Sequence, residues 1–253
     1  MNILSNVRPS TLSEREAFYR RFSARKAFAW ARSIAPHPVF AVNLGWYTGL
    51  VKPGLERYLK RGIRTIYLYG VNSPKELRRK LLRYLPESVY YWRNVVSDAD
   101  LCRGCALKFN REVPLCFHCP NFLGQELMFD IDPVRHGERY GYSDFLRARF
   151  ATLRLVDALL ERFSKVSVVF SGRGFHIHVG DPDAFCLSPL TRRRVAEELG
   201  DPLLDIPVTY GSVSLARLPY TLNALVNAVA VPVNIKKLDK FDPYHSSSSS
   251  SSS

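Results

Sequence analysis

The sequence predicts an α/β fold, in its α+β form, with helices flanking the sheet and one small inserted cysteine knuckle. Three observations carry this. Strand-length runs of β-branched and aromatic residues alternate with stretches of helical period along most of the chain. The 253 residues suit one large domain, or a domain with a small insertion. The alternation breaks once, over 99–124, where two CxxC pairs stand close together.

Residues 12–33 read as a helix or a pair of helices, with apolar positions recurring among basic ones. A basic helix beside nucleic acid is one reading; an ordinary amphipathic helix with a solvated charged face is the plainer and preferred one. Pro36 and Pro38 end the pattern, and PVFAVNLGWYTGLV has strand or turn character. GLERYLKRGIRTIYLYG reads as helix, then strand from Ile66 to Leu68. Ser73 as cap, Pro74 at the first helical position and Glu76 three residues after the cap mark a helix start. SVYYWRNVV is a strand run, and ELMFDID (126–132) a strand expected at the centre of the sheet. Residues 143–165 are the clearest helix. Ser143 is its expected cap, and Phe145, Leu146, Phe150, Leu153, Leu155, Leu159 and Phe163 are its apolar positions. Residues 165–181 read as a hairpin, SPLTRRRVAEELGD as a helix, and VSLARLPYTL and AVAVPVNI as later strands. The Ser-rich tail, 245–253, is low in complexity and is excluded from the fold.

The net charge of +13 draws polyanions, nucleic acid first and an anionic membrane surface second. No run approaches the ~18 apolar residues of a membrane span. The first residues lack a signal-peptide pattern, so an intracellular protein with no membrane partner is expected.

Chemistry concentrates in two places. On a strand, residues i and i+2 share a face, so Asp130 and Asp132 point the same way. Two ionised carboxylates that close repel unless a cation neutralises them. Mg²⁺ or Mn²⁺ does so with oxygen ligands, as two-metal nucleotidyl transfer requires. Taken alone, such a pair is more simply a strand-end pair in a polar turn. The second place is Ser171–Val179, SGRGFHIHV. Gly172 and Gly174 permit a tight turn and a close backbone approach to phosphate. Arg173 offers a guanidinium fork for phosphate oxygens. His176 and His178 share one face of the outgoing strand; His176 is assigned to the site and His178 is left undecided.

ELMFDID, followed about 40 positions further on by VVFSGRGFHIHV, resembles the small catalytic subunit of archaeal and eukaryotic-type DNA primases. The stretch 205–219, DIPVTYGSVSLARLP, is similar to that family's third motif. The resemblance is clear over 126–233 and weaker over 12–98. It implies a mixed sheet flanked by helices. It implies Asp205 as a third metal-binding carboxylate, beside Asp130 and Asp132, and Arg217 as a contact to the nucleotide's phosphates, with Ser171, Gly172, Arg173 and His176. Apart from the resemblance, Asp205 would be an unremarkable loop acid before a strand. Asn223 stands where many members have a His, and Gly211 where some archaeal members have a further Asp. The implied activity is template-directed primer synthesis on single-stranded DNA from NTPs or dNTPs, using a pair of catalytic Mg²⁺ or Mn²⁺ ions, beside a large primase subunit. Exposed apolar faces of the N-terminal helices are one expected interface. A stand-alone primase-polymerase and an inactive, zinc-containing nucleic-acid-binding subunit are the rival readings.

The spacing C-x2-C-x10-C-x2-C, from Cys102 and Cys105 to Cys116 and Cys119, suits four thiolates around one structural Zn²⁺. A disulfide pair or an iron–sulfur cluster are the alternatives, and His118 is a possible substitute ligand. Arg103, Lys108 and Arg111 could touch nucleic acid or simply be solvated. Cys186 is expected to be a small buried residue. The chain is thus divided into 1–98, the N-terminal part of the catalytic domain; 99–124, the zinc-binding insertion; 125–244, the core with the three motifs; and the tail.

Overall fold

The computed structural model describes residues 7–105, 115–134, 140–211 and 213–244. Lys108, Arg111 and the Ser-rich tail lie outside the described residues. Before the cysteine segment run α1 (Leu12–Arg21), α2 (Ala24–Ile34), β1 (Phe40–Asn43), α3 (Glu56–Lys60), β2 (Thr65–Leu68), α4 (Pro74–Tyr84), β3 (Ser88–Trp92) and β4 (Asn94–Val96). After a 3-10 turn at Leu115–His118 come β5 (Phe122–Gln125), β6 (Leu127–Ile131), α5 (Tyr142–Leu160), β7 (Val166–Phe170) and β8 (Phe175–Val179). The remainder is α6 (Pro182–Phe185), α7 (Pro189–Leu199), α8 (Ile206–Tyr210), β9 (Leu215–Arg217), β10 (Leu222–Asn223), β11 (Ala228–Val229), β12 (Val231–Val233) and a 3-10 segment at Ile235–Lys240.

Two four-stranded sheets form the frame, in the orders β2-β1-β3-β9 and β12-β7-β8-β6. Every described pairing is antiparallel, which makes this the α+β form of the predicted class. The first sheet packs its apolar face on α1, α2 and α4, through Phe28, Phe40, Leu77, Leu81 and Tyr91. The second packs on α5, through Phe129, Phe145, Leu155, Phe170 and Phe175. Strand β9 comes from late in the chain yet pairs with β3, Arg217 opposite Tyr90.

Local chemistry explains most boundaries. The Ser73 hydroxyl accepts the Glu76 N–H at 3.2 Å and starts α4. Leu85, left-handed at φ 42°, ends it. Helix α5 starts differently from the expectation: Gly141 is its cap, and the Asp144 carboxylate accepts the Gly141 N–H at 2.9 Å. Ser143 therefore lies inside the first turn. Phe150 falls off the buried face and is 60 % exposed, while Ala148, Ala151, Thr152 and Val156 complete that face. Cys186 is exposed rather than buried, because it follows the short α6 at the surface. On the N-terminal helices, Tyr19, Phe22 and Phe28 are buried in the core, and Leu12, Phe18, Trp30 and Ile34 are half-buried.

The ELMFDID strand, β6, is an edge strand and not a central one. Its outer backbone groups are taken by the segment before α8. The Asp205 N–H donates to the Asp130 carbonyl at 2.9 Å, and the Asp132 N–H donates to the Leu203 carbonyl at 3.1 Å. An unpaired edge must find partners. Here the partner brings a third acid with it.

Candidate active site

Asp130, Asp132 and Asp205 come together through that pairing. Asp130 sits on β6 opposite His176 of β8, with His176 Nε2 3.4 Å from the Asp130 carboxylate. Asp132 follows the end of β6 and is ion-paired to Arg173. Its second oxygen is buried without a hydrogen-bond partner among the described residues. Asp205 caps α8, its carboxylate accepting the Val208 N–H at 3.3 Å; it precedes a helix, not the strand expected of it. Burial, then Asp132 and Asp205, push the Asp130 carboxyl up to about 8, against the opposing pull of Arg173 and Arg217. A carboxyl raised by two neighbouring carboxylates is one that a cation would relieve. Three acids with an orphaned carboxylate oxygen have the ligand chemistry of a hard divalent cation, although among the described residues their side chains are not drawn together into a ready cage.

The glycine hairpin closes the site from the β8 side. The Ser171 N–H donates to the Gly174 carbonyl at 2.9 Å, and the Gly174 N–H donates back to the Ser171 hydroxyl at 3.2 Å. A Cβ on Gly174 would stand 2.0 Å from the Ile131 carbonyl oxygen, so only glycine lets this turn lie against β6. Gly172 has φ 99°, and a Cβ there would meet Asn223 at 2.7 Å. Asn223 donates its amide to the Ser171 carbonyl at 3.2 Å and so braces the turn. Arg217 projects from β9 over the Tyr90 ring and is buried, with Nη1 lacking any partner among the described residues. Burial, then His178, Arg217 and Arg93, hold the His176 pKa well below its usual range, so its ring is neutral. The structure thus gathers Asp130, Asp132, Asp205, Ser171, Gly172, Arg173, His176, Arg217 and Asn223 at one place.

Gly211 is excluded from that place. It is left-handed at φ 101°, and a Cβ would lie 2.5 Å from the Gln125 side chain and 3.0 Å from the Phe117 ring. A carboxylate there would need both a strained left-handed backbone and a shift of the Gln125 side chain.

Residue patterns missed a buried polar layer beneath the site. Glu126 accepts from Tyr91 at 2.5 Å and lies 3.0 Å from His178 Nδ1. The Trp30 ring meets His178 edge-on at 5.3 Å. The available signal was the period of two that sets Glu126, Met128 and Asp130 on one face. Buried Arg93 donates to the carbonyls of Glu126, Val208 and Val213, and buried Arg192 to those of Gln125, Glu126, Ala184 and Phe185. Nothing in the local pattern marks these arginines as buried.

The four cysteines of the knuckle line one cavity of about 20 Å³ with Trp92, Val96, Asn121 and Phe122. Burial, then Cys105, Cys102 and Cys119, raise the Cys116 thiol to about 11. A small apolar cavity lined by four sulfurs fits a single soft ion. Yet no three His, Cys, Asp or Glu side chains among the described residues are gathered tightly enough to form a metal cage. The two observations differ because lining a common cavity demands less than aiming three donors at one point. His118 is exposed, and Arg103 is ion-paired with Asp100 at 2.6 Å.

Fold and site together define an α+β protein with a carboxylate cluster facing a basic glycine hairpin. No protein-family model matches the chain. It is 40% identical over 258 residues to an uncharacterized DNA primase small subunit-like protein of Archaeoglobus fulgidus, covering 94% of this chain and 89% of that one. The DNA primase small subunit PriS of Pyrobaculum calidifontis is 26% identical over 66% of each chain. The polymerase domain of Mycobacterium tuberculosis Ligase D, solved in complex with DNA, aligns over 94% of this chain and 88% of its own, at TM-score 0.49 and 17% identity; that likeness is too distant to carry an argument. The chain belongs to the DNA primase small subunit-like family. No helix among the described residues is long and apolar enough to cross a membrane.

Proposed function

We propose that this chain is a template-directed nucleotidyltransferase that builds primers on single-stranded DNA, as the catalytic subunit of a DNA primase. One observation carries the reading: three acids from two segments, Asp130 and Asp132 on and just after β6 and Asp205 before α8, meet near a glycine hairpin and the buried Arg217, whose Nη1 has no partner among the described residues. Asp130, Asp132 and Asp205 are the residues that would hold Mg²⁺ or Mn²⁺, two ions in all. When bound, such ions acidify an attacking 3′-hydroxyl and stabilise a leaving pyrophosphate.

The chain's own groups do the rest. Arg217 and Arg173 take the triphosphate's oxygens, the first through its free Nη1 and the second by leaving Asp132 as the charge there is redistributed. Ser171 and Gly172 bring backbone close to the phosphates, held by the Asn223 brace. His176, being neutral, gives a directed hydrogen bond and no charge. Template and primer strands lie on the basic surface, and a large primase subunit is the expected partner. The four cysteines would hold a structural Zn²⁺, with no open position left for chemistry.

Primer synthesis on single-stranded DNA, with Mg²⁺ or Mn²⁺, compares the wild type with Asp130→Ala. Products from the wild type are expected to vanish in the variant while its thermal unfolding stays cooperative. A wild type that makes none, even with a large subunit added, overturns the reading and leaves an inactive nucleic-acid-binding subunit.

A further inference from the structure

The loop between β1 and α3 spends buried charge to hold exposed aromatic rings in place. Arg15 and Glu87 are both fully buried. Arg15 donates to the Leu50 carbonyl at 3.0 Å and to the Thr48 hydroxyl at 2.9 Å. The Glu87 carboxylate accepts the Thr48 N–H and hydroxyl, each at 3.0 Å, and the Tyr47 N–H at 3.2 Å. Taking two charged groups out of water is costly, and here the return is a fixed backbone over Tyr47–Leu50. Gly45 tightens the loop further: at φ 133°, a Cβ would stand 2.3 Å from the Leu50 carbonyl oxygen.

What this rigid loop displays is apolar and aromatic. Trp46 is 40 % exposed and Tyr47 46 %. The Arg64 guanidinium lies over the Trp46 ring, 3.6 Å from its centroid. The exposed cations Arg57, Lys60 and Arg61 lie on and just after α3, in the same stretch of chain as Arg64. The lone acid over residues 44–64 is Glu56, whose carboxylate already accepts the Gly54 N–H at 2.8 Å. The loop is also joined to the candidate site. The Glu87 carbonyl accepts the N–H of Ala224, the residue next to Asn223, at 2.8 Å.

We propose that this loop and the basic segment after it form a base-stacking site for single-stranded nucleic acid. Trp46 takes an unpaired base on its ring, Arg64 leaving that ring for a flanking phosphate, and Arg57, Lys60 and Arg61 take the phosphates beyond. Exposed aromatic rings among cations are the combination that holds single strands without reading their sequence. The proposal rests on the templated-synthesis reading and adds to it the surface that the strand crosses before it reaches the acids.

The probe is a short oligothymidylate, followed by intrinsic tryptophan fluorescence and by anisotropy of a labelled copy at several salt concentrations. Trp46 is the exposed indole; Trp92 is buried and Trp30 is half-buried. The oligonucleotide is expected to quench the wild type. Trp46→Ala should lose the quench and bind roughly 5- to 150-fold more weakly, the equivalent of one stacked base. Trp46→Phe should keep most of the affinity, which separates loss of stacking from loss of fold. Arg61→Gln should lower the slope of log affinity against log salt by about 0.7, which Trp46→Ala should not do. Unchanged affinity in Trp46→Ala, equal quenching by blunt duplex, or a strand that leaves the fluorescence untouched while a protein partner covers Trp46 overturns the proposal. Asp130→Ala should bind like the wild type. A chain that binds and stacks yet makes no primers therefore loses the activity reading alone, and one that makes primers with Trp46→Ala unaffected loses the stacking site alone.

Discussion

Asp130 shows how far one side chain's behaviour is set by its neighbours. Partial burial, then the neighbouring Asp132 and Asp205, push its carboxyl up to about 8. The folded pKa is raised above the ordinary value, so the folded state holds its proton more tightly than the unfolded chain does. Stability is therefore lost as pH rises from about 4 toward 8. Asp130→Asn removes that penalty. Without added metal, its melting temperature should match the wild type near pH 4 and exceed it by a few degrees near pH 8, read by circular dichroism. An equal gap at both pH values would mean that the acids do not couple. Gly211 makes a second point at this scale. Its place in the motif suggested a missing ligand, whereas its left-handed φ of 101° and the nearby Gln125 and Phe117 side chains favour glycine.

At the scale of elements, the site depends on an edge. Strand β6 has a partner on one side, β8, and its free side recruits Leu203–Asp205. Arg93, at the break between β3 and β4, ties the start of β6 to α8 and to the chain entering β9 through three carbonyls. One guanidinium thus fixes the elements that carry Asp130, Asp205 and Arg217 relative to one another. Arg93→Leu should lower stability by about 3–5 kcal/mol, since it leaves those carbonyls without a buried donor. Urea denaturation measures this, and Mn²⁺ affinity at the acids should fall with it. A loss under about 1 kcal/mol would show that the carbonyls find other partners.

At the scale of the whole molecule, both halves of the chain build both the core and the site. β9 completes the sheet begun by β1, and Ser10 donates its N–H to the Ala224 carbonyl at 2.8 Å. The cysteine cavity leans on the same frame, since Trp92 ends β3 and Phe122 starts β5. If the four thiols hold zinc, elemental analysis should find one zinc ion per chain. Prolonged chelation should then lower the melting temperature, as should Cys102→Ser, because metal binding is linked to folding. A fully folded chain with no zinc, and with a melting temperature indifferent to chelators, would reduce the cysteines to packing.

Local chemistry settles a good deal of this protein by itself. Helix α4 is legible because Ser73, Pro74 and Glu76 act on each other within one turn. The β7–β8 hairpin is legible because an apolar run, a glycine turn and a second run need no distant partner. The nine residues of the candidate site were each found in the chain by motif, since motifs are short. Longer-range facts were not available in that way. That ELMFDID lies at an edge, that Arg93 and Arg192 are buried, that Cys186 is exposed and that Phe150 faces outward all depend on what packs against them. The pinned Trp46 loop is the same kind of fact, because Arg15, Thr48 and Glu87 meet across 72 positions of sequence. Short-range hydrogen bonding and periodicity fix the elements, whereas burial and edge pairing are properties of neighbours that the chain acquires on folding.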